Sequence, residues 1–270
     1  MRFALMKRGV QVSRLRVAIG EQLRLCPHVI TLGVRAQMAD YTGDERELLR
    51  AAETVFYPSA RFVDLFATLG KKTFPSSNCY RLAGDRLKQT ALLRLLNVPH
   101  PRTRVYYGQK QKREILKDFV FPLVAKRPFG SSRSGRHFLV NDPEELDWYN
   151  HQFNPAYIQE YLDAEQELRV VVLNYDTTFV YWRKAASRIS TPDSLYTGWW
   201  QMDDVPDDVG SMAKQVAWDA GLSDVAIDMI YDGSRYWVLE FIFQDGDESW
   251  PRAGKDHFET IMEMIERGEL

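Results

Sequence analysis

The chain has 270 residues, of which 45% are hydrophobic and 27% are charged, and its net charge is −2. This composition is typical of a globular protein, and it excludes a disordered chain, a collagen-like chain and a small disulfide scaffold. Because basic and acidic side chains nearly balance, no overall field attracts nucleic acid or anionic lipid, and we expect neither as a partner. The length allows one large domain or two packed domains.

The two cysteines, Cys26 and Cys79, are too few for a disulfide framework and lack the paired spacing of a zinc site. Neither is a strong candidate for a nucleophile. The longest apolar run, Phe119 to Ala125, is far shorter than the roughly 20 residues of a membrane helix, and the first residues lack the apolar stretch of a signal peptide. We therefore expect a cytoplasmic protein that does not bind membranes.

The first eighty residues alternate short β-rich runs with helix-like stretches such as Arg61–Leu69. The β-rich runs are Arg2–Met6, His28–Val34, Thr54–Pro58 and Lys72–Pro75. This alternation predicts βαβ units around a small parallel sheet, so residues 1–80 are interpreted as an α/β domain.

A helix is predicted from Asp85 to Leu96, where apolar residues recur at helical spacing. Asp85 provides an N-terminal cap, and Asn97 with the nearby Pro99 ends the helix. We place the domain boundary just before this helix.

Beyond Phe119 the pattern changes to pairs of strands with helices between them. The predicted strands are Phe121–Arg127, Arg136–Val140, Tyr157–Gln159, Leu168–Leu173, Thr178–Arg183, Ala226–Tyr231 and Tyr236–Phe243. The predicted helices begin at Asp142, cover Met212–Ala220, and include a last amphipathic helix with Phe258, Ile261, Met262 and Ile265 on one side. The predicted fold class is α+β, with antiparallel sheets and helices packed on them.

A strand lysine, Lys126, precedes a loop of small residues and arginines from Gly130 to Gly135. Small residues let backbone N–H groups approach an anion, and Lys126, Arg133 and Arg136 add positive charge. The segment therefore has the outline of a phosphate clamp, although the lysine precedes the glycines and the pattern is not a Walker loop. The alternative interpretation is a surface hairpin with solvated arginines.

A second segment runs from Tyr157 into an acidic turn at Asp163 and Glu165. Its backbone groups suit a nucleobase, and its carboxylates suit ribose hydroxyls. Because any strand that leads into an acidic turn has this pattern, the segment alone does not decide its role.

Two carboxylates, Asp228 and Glu240, lie inside apolar strands, where a charge is costly unless it is paired or bound to a cation. If the strands are joined by a three-residue turn, Asp228 faces Val238, and Glu240 is its diagonal neighbour on the same face. A divalent ion such as Mg²⁺ would relieve the repulsion between the two acids. Alternatively, each acid pairs with an arginine such as Arg169 or Arg183.

In this order, the parts resemble the ATP-grasp superfamily and are most similar to its RimK-like carboxylate–amine ligases. The resemblance extends from about Arg81 to Gly246. It implies an ATP-grasp domain over residues 81–270, with lobes of about 81–162 and 163–270, preceded by a small α/β domain over residues 1–80.

The resemblance also implies the roles of individual residues. The nucleotide would be bound by Arg86 or Lys88, Lys126, the loop residues Gly130, Ser131, Ser132 and Gly135, the adenine-flanking residues Gln159, Glu160, Tyr161 and Leu162, and Asp163 or Glu165 near the ribose. Asp228 and Glu240 would bind Mg²⁺, with Mn²⁺ as an alternative. Arg136, Arg169 and Arg183 would act on the reacting groups, with Arg188 as a further candidate, and Trp199 and Trp200 are candidates for the acceptor pocket.

Two segments depart from the family pattern. The family's Glu-x-Asn motif is Glu240-Phe-Ile242 here, and Ile242 has no atom that binds a metal. The family's Asn-x-x-Arg-Gly segment corresponds to Ser194–Gly198, which lacks the amide and the arginine. The candidates to replace the asparagine are Gln244, Asp245 and Asp247.

The leading hypothesis is an ATP- and Mg-dependent ligase that joins a carboxylate to an amine through an acylphosphate, with small-molecule or peptide substrates. One alternative is a degenerate ATP-grasp protein that binds nucleotide as a scaffold or regulator. A second is an ATP-grasp phosphotransferase. A nucleic-acid module, suggested by the interleaved aromatic and basic residues at Tyr181–Lys184, is weaker. The oligomeric state stays open.

Overall fold

A computed structural model describes residues 15–130, 137–164, 166–184, 200–201, 206–243 and 257–270. The helices are α1 (Gly43–Ala51), α2 (Ser59–Thr68), α3 (Ser77–Leu82), α4 (Arg86–Leu95), α5 (Gly108–Lys112), α6 (Ile115–Asp118), α7 (Pro143–Gln152), α8 (Asp207–Ala220) and α9 (His257–Arg267). The strands are β1 (Arg16–Ala18), β2 (Ile30–Thr31), β3 (Thr54–Phe56), β4 (Lys72–Phe74), β5 (Thr103–Tyr106), β6 (Leu123–Lys126), β7 (His137–Val140), β8 (Ala156–Glu160), β9 (Gln166–Leu173), β10 (Asp176–Lys184), β11 (Trp200–Gln201), β12 (Asp224–Tyr231) and β13 (Tyr236–Ile242). Within these ranges, every helix is too short or too polar to cross a membrane.

The chain divides into two compact units, and the first is built on a parallel sheet. This unit comprises the residues up to Arg81, the segment Gly221–Asp224 and the C-terminal residues that include α9. Its strands lie in the order β2-β1-β3-β4 and pair in parallel, which confirms the predicted small parallel sheet. Its core is formed by buried apolar side chains that include Val17, Val55, Phe62 and Phe66.

The N-terminal strand prediction differs from the structure. The central strand β1 was not predicted, and the predicted run His28–Val34 contains only the two-residue strand β2. Strands of two or three residues are too short to show a two-residue periodicity, so their sequence carries little signal. The predicted strand Arg2–Met6 lies outside the described residues.

The second unit contains two further sheets. A four-stranded sheet has the order β5-β8-β6-β7, and its neighbouring strands are antiparallel. A five-stranded sheet has the order β11-β10-β9-β12-β13, with antiparallel pairing within β9–β10 and β12–β13. The α+β prediction is confirmed, whereas strand β5 was not anticipated.

Local sequence signals explain several element ends in this unit. The Asp85 side chain accepts a hydrogen bond from the Lys88 backbone N–H and starts α4 where the sequence predicted it. Asn174 and Tyr175 both have positive φ, as a tight turn between β9 and β10 requires. Helix α8 begins at Asp207, earlier than the predicted Met212.

Helix α4 is joined to strand β13 by a side chain. The Gln89 amide donates to the Phe241 carbonyl at 3.2 Å, and its oxygen accepts from the Phe241 N–H at 3.0 Å. The Val238 N–H donates to the Pro99 carbonyl at 2.9 Å. These contacts hold α4 and the segment that follows it against the edge of the five-stranded sheet.

The domain limits 1–80 and 81–270 stay a prediction. The boundary lies near Arg81, where the first unit's N-terminal segment ends, but the first unit also contains α9.

Candidate functional site

The two buried acids face each other across the last hairpin of the second unit. Asp228 on β12 is directly opposite Glu240 on β13. The predicted register, with Asp228 opposite Val238, is wrong, because the hairpin turn is longer and an irregularity between Asp228 and Met229 leaves Leu239 as an extra residue. The prediction that Asp228 and Glu240 lie on the same face of the sheet is nevertheless correct, since opposed residues point to the same face.

Asp228 is hydrogen-bonded to an arginine on β9, the strand next to β12 in the five-stranded sheet. Arg169 on β9 donates from Nε and Nη2 to the two carboxylate oxygens, at 2.7 and 2.9 Å. Both side chains are buried, and this parallel two-bond geometry is the strong form of an arginine–carboxylate pair. Burial alone would lower the pKa of Arg169, but the Asp228 carboxylate raises it. The alternative pairing with Arg169 is therefore realised for Asp228.

Glu240 has a different set of partners. Arg86, the first residue of α4, donates from Nε to Glu240 Oε2 at 2.7 Å. His137 Nε2 lies 3.3 Å from Oε1. Burial alone would raise the pKa of Glu240, but the positive charges of Arg86 and Lys126 hold it well below its usual range. Glu240 is therefore an ionised carboxylate in a buried setting.

His137 itself is buried at its Nε2 atom, which has no partner with hydrogen-bond geometry despite its proximity to Glu240. Desolvation lowers the pKa of the ring, while the Glu240 carboxylate opposes that shift. The ring is thus favoured in its neutral form.

Lys126 completes the cluster from the four-stranded sheet. It is the last residue of β6, opposite His137 on β7 and Tyr157 on β8. Its side chain is only 2% exposed, and its Nζ has a long contact of 3.5 Å to the Leu239 carbonyl. Burial lowers its pKa, with Glu240 acting in the opposite direction. An ammonium with so little compensation is suited to bind an added anion.

A close backbone approach fixes the start of the predicted phosphate loop. The Gly130 N–H donates to the Gly84 carbonyl at 2.9 Å, and Asp85 forms a β-bridge with Phe129. Gly84 has a φ of +69°, and a Cβ there would lie 3.3 Å from the Gly130 oxygen. Glycine at this position lets the chain before α4 lie against the chain that enters the loop.

The two candidates for the first phosphate contact have different environments. Arg86 is buried and bonded to Glu240 and to the Arg127 carbonyl. Lys88 is exposed and pairs with Asp85 at 3.2 Å. Arg86, and not Lys88, belongs to the buried charged cluster.

The predicted adenine segment is described only in part. The Gln159 side chain is buried and donates to Thr103 Oγ1 at 3.0 Å, so it is engaged within its own sheet. Glu160 accepts a hydrogen bond from the Arg102 backbone N–H. Tyr161 donates its hydroxyl hydrogen to Asp163 at 3.2 Å. The backbone of residues 160–162 remains the proposed contact for a base.

Several predicted site residues lie outside the described part of the chain. They are Ser131, Ser132, Gly135, Arg136, Glu165, Arg188, Trp199, Gln244, Asp245 and Asp247. Arg183 lies on β10 opposite Glu167 and Trp200 lies on β11, but the described residues do not include their side-chain environments. Their predicted roles stay predictions.

The donor set fits a divalent cation held together with phosphate oxygens. Asp228 and Glu240 are 1% and 7% exposed and share one face, and the buried His137 Nε2 lacks a hydrogen bond beside Glu240. Among the residues that the structure describes, no group of three His, Cys, Asp or Glu side chains is arranged to hold a metal ion. Mg²⁺ that carries a nucleotide needs only one or two protein carboxylates, so the arrangement is compatible with it.

Sequence reasoning missed His137 and Gly84. His137 lies inside the predicted strand that follows the loop, and pairing with the lysine strand would have placed it opposite Lys126. Gly84 directly precedes the capping residue of α4, and its need for positive φ has no sequence signature other than the glycine itself.

No family model and no curated protein matches the sequence. Solved structures do match. A RimK domain ATP-grasp protein from Sphaerobacter thermophilus has a TM-score of 0.62 at 17% identity, covering 84% of this chain and 90% of that chain. The ATP-grasp ligase PsnB, solved with a minimal precursor, has a TM-score of 0.65 at 15% identity, covering 94% and 98%. D-alanine–D-alanine ligase from Bacillus anthracis, solved with ATP, has a TM-score of 0.59 at 12% identity, covering 84% and 86%.

These likenesses define the class of protein: the chain has the ATP-grasp fold, as its sequence pattern predicted. Among the proteins with this fold that it resembles are a RimK-domain protein and two ligases.

Proposed function

We propose that this chain is an ATP- and Mg-dependent ligase that joins a carboxylate to an amine. The observation that carries the proposal is the buried cluster in which three basic side chains, Arg86, Lys126 and Arg169, surround the paired acids Asp228 and Glu240. An excess of buried positive charge beside two acids suits a polyphosphate that brings its own divalent cation.

Within this proposal each side chain has a task. Lys126 binds the transferring phosphoryl group. Arg86 fixes the position of Glu240, which is the proposed metal ligand. Arg169 orients Asp228, the second proposed ligand. Mg²⁺ supplies charge neutralisation on the phosphates. Fixed charges in a site with little water stabilise the charge that develops during phosphoryl transfer, which is the main catalytic need of this reaction.

The substrate proposal is a peptide or an amino-acid-type molecule whose carboxylate is activated as an acylphosphate and captured by an amine. It is supported by the resemblance to ligases, among them PsnB, which was solved with a precursor peptide. The free, buried cysteines Cys26 and Cys79 support work in a reducing compartment such as the cytoplasm.

A nucleotide-binding scaffold without ligase activity is the second candidate. Ile242, buried and apolar, stands where the family has a metal-binding asparagine. Both acids are also already paired with arginines. This candidate predicts binding of Mg·ATP without ADP release.

Calorimetric titration with Mg²⁺ and a non-hydrolysable ATP analogue tests the binding step. Lys126→Met removes the charge and keeps the volume, so we expect affinity to fall roughly ten- to a hundredfold, the usual cost of losing a hydrogen bond to a charged group. The matched control is Lys112→Met, which removes another buried lysine that donates to the Asn150 and Phe153 carbonyls. Equal affinity for wild type and Lys126→Met would contradict the role of Lys126.

ADP release in the presence of amino-acid and peptide pools then separates the candidates. Amide product with ADP supports the ligase. ADP with a phosphorylated hydroxyl product would indicate a phosphotransferase, and binding without ADP release from any pool would favour the scaffold.

A further inference from the structure

His137 belongs to the charged cluster, but the proposed function gives it no task; its side chain is 26% exposed, whereas its Nε2 atom is buried. It lies at the start of β7, directly opposite Lys126, and it faces the carboxylate proposed as a metal ligand. Arg86, Arg169 and the two acids each have an oppositely charged partner, whereas His137 Nε2 has no hydrogen bond. A buried polar atom without a partner is destabilising, so its presence needs an explanation.

The distance between His137 Nε2 and the nearest Glu240 oxygen suggests an explanation for the unpartnered nitrogen. His137 Nε2 and Glu240 Oε1 are 3.3 Å apart. Two ligands that bind one metal ion at about 2.1 Å, with an angle between those of octahedral and tetrahedral coordination, are roughly 3.0–3.4 Å apart. A single cation placed beside both atoms would therefore contact each of them at bonding distance without a change in their separation.

The carboxylate of Glu240 is oriented so that one of its oxygens, Oε1, can bind a cation beside His137. Arg86 binds Oε2 and so fixes the carboxylate with Oε1 directed toward the histidine. Asp228, the other proposed ligand, accepts two hydrogen bonds from Arg169, whereas no hydrogen bond occupies His137 Nε2.

We propose that His137 is a metal ligand, together with Glu240, for the divalent cation that accompanies the nucleotide. The inference rests on the proposed function, because so few protein ligands suffice only if phosphate oxygens and water supply the others. Mg²⁺ prefers oxygen ligands, whereas imidazole nitrogen suits transition metals. The site therefore discriminates less strongly in favour of Mg²⁺ than an all-oxygen site, and Mn²⁺ binds more tightly than Mg²⁺.

Pulsed electron paramagnetic resonance of bound Mn²⁺ tests this assignment directly. The protein is labelled with ¹⁵N only at histidine and combined with Mn²⁺ and a methylene-bridged ATP analogue, which has no nitrogen in its phosphate chain. We expect a ¹⁵N hyperfine coupling in the wild-type complex and its loss in His137→Gln. The matched control is His151→Gln, on the exposed surface of α7, which retains the coupling.

Metal titration of the same variants provides a second measurement. His137→Gln and His137→Val are both expected to weaken Mn²⁺ binding at least tenfold while changing Mg²⁺ binding much less. Valine has no ligand atom, so His137→Val also excludes replacement of the imidazole by the glutamine oxygen. Bound Mn²⁺ and analogue without a ¹⁵N coupling, or with a coupling that persists in His137→Gln, would overturn this inference alone. Failure of the analogue to bind at all would overturn the proposed function and, with it, the inference.

Discussion

Arg169 and Asp228 form a two-bond pair whose side chains are 7% and 2% exposed. Burying both charges is costly, and their mutual attraction offsets that cost only while both are present. We therefore predict that Arg169→Ala lowers the free energy of unfolding by about 3–5 kcal/mol, because it leaves Asp228 charged and unpaired. Urea denaturation measures this change.

The double variant Arg169→Ala with Asp228→Asn is expected to recover part of the loss, since the amide carries no charge. Arg104→Ala, which removes a pair with Asp118 that is 60% exposed on the arginine side, serves as the control. A surface pair contributes about 0–1 kcal/mol, so equal losses for Arg104→Ala and Arg169→Ala would contradict the argument.

The sequence allowed only part of this cluster to be predicted. Acids within apolar strands indicated that Asp228 and Glu240 share a face, which the structure confirms. The partner of Glu240 was not predicted, because Arg86 lies 154 residues earlier on a helix. Periodicity within a segment cannot show which distant segment packs against it.

The contact between the chain that enters α4 and the chain that enters the loop depends on Gly84. We predict that Gly84→Ala raises the Kd for the Mg·ATP analogue several-fold, because the new Cβ would lie 3.3 Å from the Gly130 oxygen and displace the start of the loop. Calorimetric titration measures the change.

Gly70→Ala is the matched control, since Gly70 has the same φ of +69° but open space around its Cβ position. Both variants should lose about 1–2 kcal/mol of stability from the left-handed backbone. Only Gly84→Ala should weaken nucleotide binding, and an equal Kd for both variants would disprove the proposed role.

Elements with strong local signals could be predicted, and those defined by their neighbours could not. Helices α4 and α7 begin at Asp85 and Asp142, whose side chains cap them as expected. Strands β1 and β5 have three and four residues, and their pairing with adjacent strands defines them more than their composition does. The irregularity beside Asp228 likewise has no sequence signal, because no glycine marks it.

The two units contain different residues that can be followed chemically. Both cysteines are buried in the first unit, and the tryptophans that the structure describes, Trp148, Trp182, Trp200, Trp218 and Trp237, belong to the second. Burial raises the pKa of Cys79 to about 11 and also raises that of Cys26.

We predict that a disulfide reagent labels neither thiol in the native protein at pH 8, because both thiols are buried and only about one in a thousand Cys79 thiols is ionised in the folded protein. Both thiols should react at once in concentrated guanidinium chloride. Absorbance of the released thiol measures the reaction, and tryptophan fluorescence records the second unit in the same sample. Rapid labelling without denaturant would contradict the burial of these thiols.

The order of motifs along the chain predicted the ATP-grasp fold, although identity to the matching structures is only 12–17% for those described above. Order survives because a fold needs each charge pattern and turn at a particular place, while most core positions accept any apolar residue of suitable size. Substrate identity depends on side chains of an acceptor pocket, and general packing rules do not determine them.

The Gln89 side-chain amide forms the hydrogen bonds that a neighbouring strand would form with β13, the edge strand of the five-stranded sheet. An open outer strand is a template to which another polypeptide can add, with aggregation as the result. On β13 the Phe241 peptide is already bonded to Gln89, and the Val238 N–H to Pro99. A strand from another molecule would have to break these bonds before it could pair with β13. These hydrogen bonds therefore oppose edge-to-edge association, although β13 contains no lysine or proline.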